Sequence, residues 1–250
     1  MGRLDGKRAL ISGTGGGIGR AAALACAREG AHVVGCDLNP QTSAETVELV
    51  RAGGGRMDAI APVDLATEEG AGRWVREAVD LTGGIDVLVN NASAIRFGPI
   101  DALSFADWSF TIRHELDIVF LVTRAAWPHL VAGGGGSIVN VASLAATFGM
   151  PYALHYTTSK AGVIGFTRAL AREVGEFGIT VNALTPGMTQ SETQVASSSG
   201  NYLASRVAGR AIERVQVPAD LVGAVMFLSS PASDFMTGQT INVDGGKSMH

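Results

Sequence analysis

The sequence predicts an α/β protein: a single doubly wound domain spanning residues 1–250, with a parallel sheet of about seven strands and helices on both faces. Short apolar runs alternate with longer amphipathic stretches along the whole chain. The early runs, such as residues 86–90, are continuous and do not alternate with polar residues, which is typical of strands covered on both faces. Repeated strand–helix–strand units then favour right-handed crossovers and a parallel sheet.

The individual elements follow from this alternation in chain order. Strands are predicted at Arg8–Ser12, His32–Asp37, Asp58–Val63, Asp86–Asn90, Ser137–Ala142, Thr180–Leu184 and Thr240–Val243. Helices are predicted at Gly19–Arg28, Ser43–Ala52, Glu68–Leu81, Asp107–Leu130, Leu154–Phe177 and Ala219–Ser229. Glycine clusters at 53–55 and 133–136 mark loops between elements, and no repeat or proline-rich linker divides the chain.

The composition excludes several classes of protein. Hydrophobic residues make up 46% of the chain and charged residues 17%, a balance typical of globular proteins. The net charge is -4 with both signs interspersed, so no basic patch favours nucleic acid or an anionic membrane as a partner. The first residues lack the apolar core of a signal peptide, and no apolar stretch is long enough for a bilayer. Cys26 and Cys36 lack metal-ligand spacing and are expected in the core, so the sequence predicts a soluble, cytoplasmic protein without a metal site.

Residues 188–206 form a long polar, serine-rich segment without helical or strand periodicity. A connection of this length inside a compact domain is usually functional, so we expect a lid over a binding site. A disordered surface loop is the alternative interpretation.

A glycine-rich turn, residues 12–19, joins the first predicted strand to the first predicted helix. Glycines at 13, 17 and 19 allow the backbone to approach a pyrophosphate closely, and the start of the helix supplies unpaired N–H groups and the positive end of its dipole. A glycine loop alone is a weak signal, but this placement between strand and helix indicates a dinucleotide site.

Asp37 ends the second predicted strand and indicates which dinucleotide is bound. A carboxylate there accepts hydrogen bonds from both hydroxyls of an adenosine ribose and repels a 2′-phosphate. The following residues are Leu38, Asn39 and Pro40, none of them basic, and the glycine loop holds no basic residue either. The sequence therefore predicts NAD in preference to NADP, unless Asp37 only caps the following helix.

Tyr156 and Lys160 are spaced i, i+4 within a predicted helix, so they share one face. A lysine ammonium favours the phenolate form of a neighbouring tyrosine, which can then act as an acid or base near neutral pH. Ser143 closes the preceding strand, at the sheet edge where ligands bind in such folds, and its hydroxyl can orient a substrate oxygen. A Tyr-x-x-x-Lys spacing alone is usually structural; the serine and the dinucleotide turn make it a candidate catalytic site.

With these motifs in order, the chain resembles a short-chain dehydrogenase/reductase over nearly its whole length. The matching segments are residues 12–19 (SGTGGGIG), Asp64-Leu65, Asn90-Asn91-Ala92, Ser143, Tyr156 with Lys160, Pro186-Gly187 and residues 238–246 (GQTINVDGG). The resemblance implies a Rossmann-type fold and a homotetramer built through the long fourth and fifth helices.

The resemblance also implies which residues contact the cofactor. Asp64 is expected at the adenine amino group, Asn91-Ala92 beside the adenosine ribose, and Lys160 at the nicotinamide ribose, with Thr189 near the carboxamide. The full predicted cofactor site comprises Gly13, Gly17, Ile18, Gly19, Asp37, Leu38, Asp64, Leu65, Asn91, Ala92, Tyr156, Lys160, Pro186, Gly187 and Thr189.

Two positions depart from the family pattern. Glu115 stands where the family usually has an asparagine that helps to hold a water bound to Lys160, and Ser93 stands where glycine is usual. A carboxylate at position 115 could still accept from that water, but its charge would oppose ionisation of Tyr156. The alternative is a local shift along the helix that places Glu115 elsewhere.

Together these observations predict an NAD-dependent oxidoreductase that interconverts a secondary alcohol and a ketone, with Tyr156 as general acid/base and Ser143 and Lys160 beside it. Apolar residues in the expected pocket wall favour a hydrophobic or aromatic small-molecule substrate; these are Phe97, Phe148, Met150, Pro151, Leu154 and Met188. The alternatives are a 3-oxoacyl-thioester reductase and a non-catalytic dinucleotide-binding protein. The first generally favours NADPH, which Asp37 disfavours, and the intact catalytic residues disfavour the second.

Overall fold

The computed structural model describes residues 2–190 and 207–249. Its strands are β1 (Arg8–Ser12), β2 (His32–Cys36), β3 (Arg56–Ile60), β4 (Val87–Asn90), β5 (Gly136–Val141), β6 (Ile179–Pro186) and β7 (Thr240–Val243). Its α-helices are α1 (Gly17–Arg28), α2 (Pro40–Ala52), α3 (Glu68–Thr82), α4 (Phe105–Ile112), α5 (Ile118–Ala132), α6 (Ala145–Phe148), α7 (Leu154–Val174) and α8 (Ala219–Leu228). A π-helical turn, Arg113–Asp117, joins α4 to α5, and single 3-10 turns lie at Gly175–Phe177 and Pro231–Ser233.

The seven strands form one parallel sheet in the order β3-β2-β1-β4-β5-β6-β7. The order reverses direction between β1 and β4, which creates a crevice at the carboxyl ends of these strands, where ligands bind in such folds. The predicted doubly wound α/β fold is therefore confirmed.

Each face of the sheet has its own apolar core. Leu10 and Ile138 point to the face covered by α3, α5 and α7, where Trp74 is completely buried. Ala9 and Val139, their neighbours along the same strands, point to the face covered by α1, α2 and α8. This explains why the central strands are continuous apolar runs.

Several elements begin at residues other than those predicted. The helix α2 begins at Pro40 because the Asn39 side chain accepts hydrogen bonds from the N–H groups of Gln41 and Thr42. The strand β3, Arg56–Ile60, begins two residues and ends three residues earlier than predicted. The predicted long helix from 107 to 130 begins earlier, after the capping residue Ser104, and is interrupted by the π turn.

A chain of buried polar side chains fixes the helices to the sheet. Asn90 on β4 donates to Thr123 on α5 (3.2 Å) and to Asn140 on β5 (2.9 Å). Asn140 in turn donates to Thr167 on α7 (2.9 Å). Because each buried amide needs its partners, these bonds hold α5 and α7 at defined positions over the carboxyl half of the sheet.

No helix within residues 2–190 and 207–249 is both long and apolar enough to cross a membrane.

Candidate active site

The glycine turn is held by contacts that leave no room for a side chain at Gly15 or Gly19. Gly13 has φ 72° and its N–H donates to Cys36 O (2.9 Å). A Cβ on Gly19 would lie 2.0 Å from Gly13 O. The Asn91 side chain donates to Ser12 O (2.9 Å), and the Ser12 hydroxyl accepts from the Asn91 N–H (2.9 Å), so the end of β4 is tied to this turn.

The first turn of α1 is open to a ligand. Helix α1 begins after Gly16 without a side chain that accepts from its first N–H groups, as do α5, α6, α7 and α8, whereas α2, α3 and α4 have such a cap. Gly17 and Ile18 line a cleft at this point. Uncapped N–H groups at a helix N-terminus, beside glycines that exclude side chains, fit the pyrophosphate of a dinucleotide.

Asp37 lies beside the glycine turn and does not cap α2, since that position is taken by Asn39. Its carboxylate accepts from Gly15 N (2.8 Å) and Asn39 N (3.0 Å). Together with other residues predicted for the adenosine end of the cofactor, it lines a pocket of about 110 Å³; these are Gly13, Leu38, Asp64, Leu65 and Ala92.

Arg20 is a basic neighbour of this pocket that the sequence reasoning missed. Its guanidinium donates to Gly15 O (2.8 Å) and to Thr46 Oγ1 (2.9 Å), and pairs with Glu45 (3.2 Å). The position of Arg20, directly after Gly19, was the available signal. A guanidinium at the glycine turn reduces the negative potential that Asp37 creates there.

The π turn places Glu115 against Lys160. Glu115 is 0% exposed, and its Oε2 lies 2.9 Å from Lys160 Nζ. Its Oε1 accepts a hydrogen bond from Ser93 Oγ (2.5 Å). The alternative that a local shift moves Glu115 away from Lys160 is therefore wrong. Sequence periodicity gave no sign of the π turn, a feature that is frequent at functional sites.

Lys160 is held at two points inside the protein. Besides the ion pair with Glu115, its ammonium donates to Val141 O (2.8 Å) at the end of β5. Burial alone would lower the pKa of Lys160, but the charge and hydrogen bond of Glu115 and the charge of Tyr156 together outweigh this effect and hold the pKa above its ordinary value. Lys160 is therefore a permanent cation at neutral pH.

Tyr156, Ser143 and Lys160 line one cleft of about 550 Å³. Lys160 Nζ lies 5.7 Å from the centre of the Tyr156 ring, one turn away on α7. Ser143 follows β5, and its hydroxyl oxygen accepts from Ala145 N (3.1 Å). The same cleft contains other residues predicted for the cofactor, namely Gly17, Ile18, Asn91, Pro186, Gly187 and Thr189. The structure thus brings the predicted catalytic and nicotinamide-side residues together.

The outer wall of the cleft is apolar. It contains the predicted Phe97, Phe148, Met150 and Met188, together with Ile95 and Leu144. Pro151 and Leu154, also predicted for the wall, are not part of the lining. The lid predicted at 188–206 falls mostly outside the described residues, which end at 190 and resume at 207.

Two further cations line the cleft and were not singled out from the sequence. Arg210 donates to Met188 O (2.8 Å), and Lys247 donates to Ala208 O (2.6 Å). Lys247 follows a turn in which Asp244 accepts from the next backbone N–H groups. With Lys160 they make this lining positive, since its described residues include no aspartate or glutamate.

The cysteines lie in the core, as predicted. Burial raises the pKa of the Cys26 thiol to about 12, and that of Cys36 also lies well above its ordinary value, mainly through burial. Neither thiol is a nucleophile at neutral pH. Within the described part of the chain, no group of histidine, cysteine, aspartate and glutamate side chains could hold a metal ion.

Comparisons with known proteins show which family the chain resembles over its length. Residues 13–248 match a family model described as enoyl-(acyl carrier protein) reductase. The chain is 37% identical over 249 residues, 98% of each chain, to a (2S)-[(R)-hydroxy(phenyl)methyl]succinyl-CoA dehydrogenase subunit of Thauera aromatica.

Two solved structures share the whole fold. A putative short-chain dehydrogenase/reductase from Burkholderia xenovorans superimposes with a TM-score of 0.93 at 34% identity, covering 99% of this chain and 98% of the other. A putative NAD(P)-dependent gluconate 5-dehydrogenase from Beutenbergia cavernae, with NADP bound at low occupancy, gives 0.91 at 36% identity, covering 98% and 97%. The chain therefore belongs to the short-chain dehydrogenase/reductase family and is an oxidoreductase.

Proposed function

We propose that this protein is an NAD-preferring dehydrogenase that interconverts a secondary alcohol and a ketone bearing an apolar or aromatic group, with Tyr156 as its general acid/base. The observation that carries the proposal is the single cleft shared by Tyr156, Ser143 and Lys160, at the point where the strand order reverses. A non-catalytic role does not account for a fully buried lysine fixed beside an accessible tyrosine.

Each side chain has a defined task in this proposal. Bound nicotinamide would supply the hydride acceptor for oxidation and the hydride donor for reduction. In oxidation, Tyr156 as phenolate accepts the hydroxyl proton of the alcohol, and Ser143 donates a hydrogen bond that orients the substrate oxygen. Lys160, held as a cation, favours the phenolate through its charge and binds the nicotinamide ribose with its remaining N–H. The cofactor itself would lie along Gly13, Gly17, Ile18, Gly19, Asp37, Leu38, Asp64, Leu65, Asn91, Ala92, Pro186, Gly187 and Thr189.

The preference for NAD rests on Asp37. Its carboxylate lines the adenosine pocket, where it can accept from both ribose hydroxyls and repel a 2′-phosphate. Arg20, which donates to Gly15 O, weakens the repulsion of a 2′-phosphate by Asp37, although Glu45 neutralises part of the Arg20 charge. We therefore expect kcat/KM to be higher with NAD than with NADP but not exclusively so, and Asp37→Ala to narrow the difference between the two cofactors.

The substrate class rests on the cleft wall. Phe97, Phe148 and Met188 are each more than a third exposed in the described structure. Exposed apolar side chains in the wall of a cleft favour the binding of an apolar ligand. The name of the relative from Thauera aromatica contains a phenyl-bearing alcohol, which fits an aryl substituent. The second candidate is a 3-oxoacyl-thioester, since Arg210 and Lys247 could attract its phosphate groups.

A spectrophotometric screen tests these choices together. The probes are 1-phenylethanol, 2-octanol and 3-hydroxybutyryl-CoA, each with NAD and with NADP, monitored by reduced-nicotinamide absorbance. We expect the highest kcat/KM with the aryl alcohol and NAD. Preference for the CoA ester would establish the second candidate instead, equal efficiency with NADP would overturn the cofactor preference, and no turnover of any probe, in either direction, would count against the enzyme.

The assembly proposed is a cytoplasmic homotetramer. Helices α5 and α7 border an apolar groove of about 500 Å³ that includes Phe120, Trp127, Phe166 and Leu170, and Phe120 is 48% exposed. Such a surface favours association with another copy of the chain. Sedimentation equilibrium tests it, and a monomer at micromolar concentration would exclude the tetramer.

A further inference from the structure

We infer that Ser93 is a positioning residue that orients Glu115 toward Lys160, so that the two residues act as one unit in setting the pH range of the reaction. The inference deepens the proposed function and rests on it in one respect, the role of Tyr156. The observation behind it is a continuous line of contacts from the Ser93 hydroxyl through both oxygens of Glu115 to the Lys160 ammonium.

Both oxygens of the Glu115 carboxylate are engaged. Oε1 accepts from Ser93 Oγ at 2.5 Å, and Oε2 faces Lys160 Nζ at 2.9 Å, with no solvent exposure of the glutamate. A carboxylate bound at only one oxygen can rotate or move away, whereas contacts at both oxygens leave one orientation. Ser93 therefore determines where the negative charge of Glu115 lies relative to Lys160.

The backbone that carries Ser93 is itself fixed. The N–H groups of Asn91 and Ala92 both donate to Ser12 Oγ, at 2.9 and 3.0 Å, which ties this segment to the glycine turn. Ser93 also belongs to the linings of both the adenosine pocket and the main cleft. It is therefore a rigid anchor placed between the two halves of the site.

The two departures from the family pattern explain one another. The usual glycine at position 93 has no hydroxyl, and the usual asparagine at position 115 is one methylene shorter than glutamate. A glycine could not make this side-chain contact at all, and an asparagine at 115 would be too short to reach Ser93 Oγ without backbone movement. Ser93 gives a hydrogen-bond donor to a buried carboxylate oxygen that would otherwise have no partner among the described residues, a deficit that is costly at full burial.

The unit acts on the acid/base through charge. Lys160 has three N–H donors, one of which bonds Val141 O, while the charge of its ammonium pairs with Glu115 Oε2. Burial lowers the pKa of Lys160, and Glu115 and Tyr156 are the titratable side chains that raise it. The negative charge of Glu115 opposes formation of the Tyr156 phenolate, both directly and by compensating the charge of Lys160, and the Ser93 hydroxyl holds that negative charge in place.

The test is a double-mutant cycle read as the pH midpoint of the oxidation rate. Glu115→Asn removes the charge, so its midpoint should fall by about one pH unit. Ser93→Ala leaves the charge but frees the carboxylate to turn away from Lys160, so its midpoint should fall by about half a unit. In the Glu115→Asn background, Ser93→Ala should have no further effect. Thr158→Val, which removes an exposed hydroxyl from α7, is the control and should leave the midpoint unchanged.

Melting temperature and NADH binding by fluorescence establish that each variant is folded. An unmoved midpoint in Ser93→Ala, or the same shift in both backgrounds, would overturn the inference, because a merely structural serine changes rate without this coupling. Tyr156→Phe distinguishes failure of the proposed function from failure of the inference about Ser93 and Glu115. If that variant retains turnover, the proposed function fails; if it is inactive while Ser93 and Glu115 behave independently, only the inference fails.

Discussion

The two ends of the candidate site are built in different ways. At the dinucleotide end, the glycine turn and the start of α1 expose mostly backbone, and Gly19 packs so closely against Gly13 O that a Cβ would not fit. At the acid/base end, Lys160 and Glu115 are charged side chains withdrawn from solvent. The first end should therefore fail when atoms are added, and the second when a charge is removed from a pair.

The largest effect is expected from Tyr156→Phe, which removes the proposed proton acceptor and nothing else. Activity should fall by roughly two to four orders of magnitude, the usual span for a positioned acid or base. The dinucleotide end should be unaffected, so NADH should still bind with nearly native affinity. Steady-state rates and a fluorescence titration check both statements, and near-native turnover would remove Tyr156 from the mechanism.

Lys160→Met should damage stability as well as activity, because it leaves the buried Glu115 carboxylate unpaired. The free energy of unfolding should drop by roughly 3–5 kcal/mol, measured by denaturant titration. Lys160→Met combined with Glu115→Gln removes both charges and should recover most of that stability while staying inactive. If the double variant is no more stable than the single one, the pair is not a coupled unit.

Gly19→Ala tests the opposite end by adding one carbon. The new Cβ would meet Gly13 O, so we expect a loss of about 1–3 kcal/mol in stability and much weaker NADH binding. Gly223→Ala is the matched control, since a Cβ there meets nothing within 4 Å and Gly223 lies inside α8, outside the groove proposed for assembly. It should stabilise the protein by up to about 1 kcal/mol. Equal behaviour of the two variants would contradict a tightly packed turn.

The smallest effect is expected at a partly exposed ion pair, Arg8 with Asp86, whose contribution to stability can be compared with that of the buried pair of Lys160 and Glu115. Arg8 bonds both oxygens of Asp86, at 2.7 and 3.0 Å. Burial would raise the pKa of Asp86, but the hydrogen bonds and charge of Arg8 outweigh it and hold that pKa below its ordinary value.

The sign for stability follows from this lowered pKa. The stabilisation of the folded state by ionised Asp86 is complete above the ordinary pKa of an aspartate, and it is lost as the pH falls through the lower pKa that Asp86 has in the folded protein. Asp86→Asn should therefore cost about 1 kcal/mol at pH 7, and the difference from the native protein should shrink in acid. Thermal unfolding at several pH values measures it; a difference that grows in acid would reverse the assignment.

The fold was predictable because its signals are local and repeated. Continuous apolar runs such as β4, separated by amphipathic stretches, require a parallel sheet, and the strand order confirms that prediction. The i, i+4 spacing of Tyr156 and Lys160 likewise placed both on one face of α7. The structure places the predicted catalytic residues in one cleft, while their chemical roles stay predictions.

The features that escaped prediction depend on contacts between distant residues or on backbone hydrogen bonding. Ser93 and Glu115 belong to separate elements, so nothing in either local pattern pairs them. Arg20 follows the glycine turn in sequence, but its fold back onto Gly15 O depends on α2. The π turn changes which backbone groups bond to one another without changing the apolar pattern.

That π turn bears on how this part of the protein can evolve by insertion or deletion of residues. It winds an extra residue into a helix that would otherwise run without interruption from Phe105 to Ala132. Each residue of an α-helix advances it by about 100°, but a π turn takes up its extra residue locally, so α4 and α5 keep the directions of one continuous helix, with α5 pinned to the sheet through Thr123. We therefore expect the loss of a single codon within residues 113–117 to restore a regular α-helix, which leaves α4 packed against α7 but removes the bulge that carries Glu115 to Lys160. No single substitution removes that extra residue, so the contact between Glu115 and Lys160 depends on the length of this segment as well as on its chemistry.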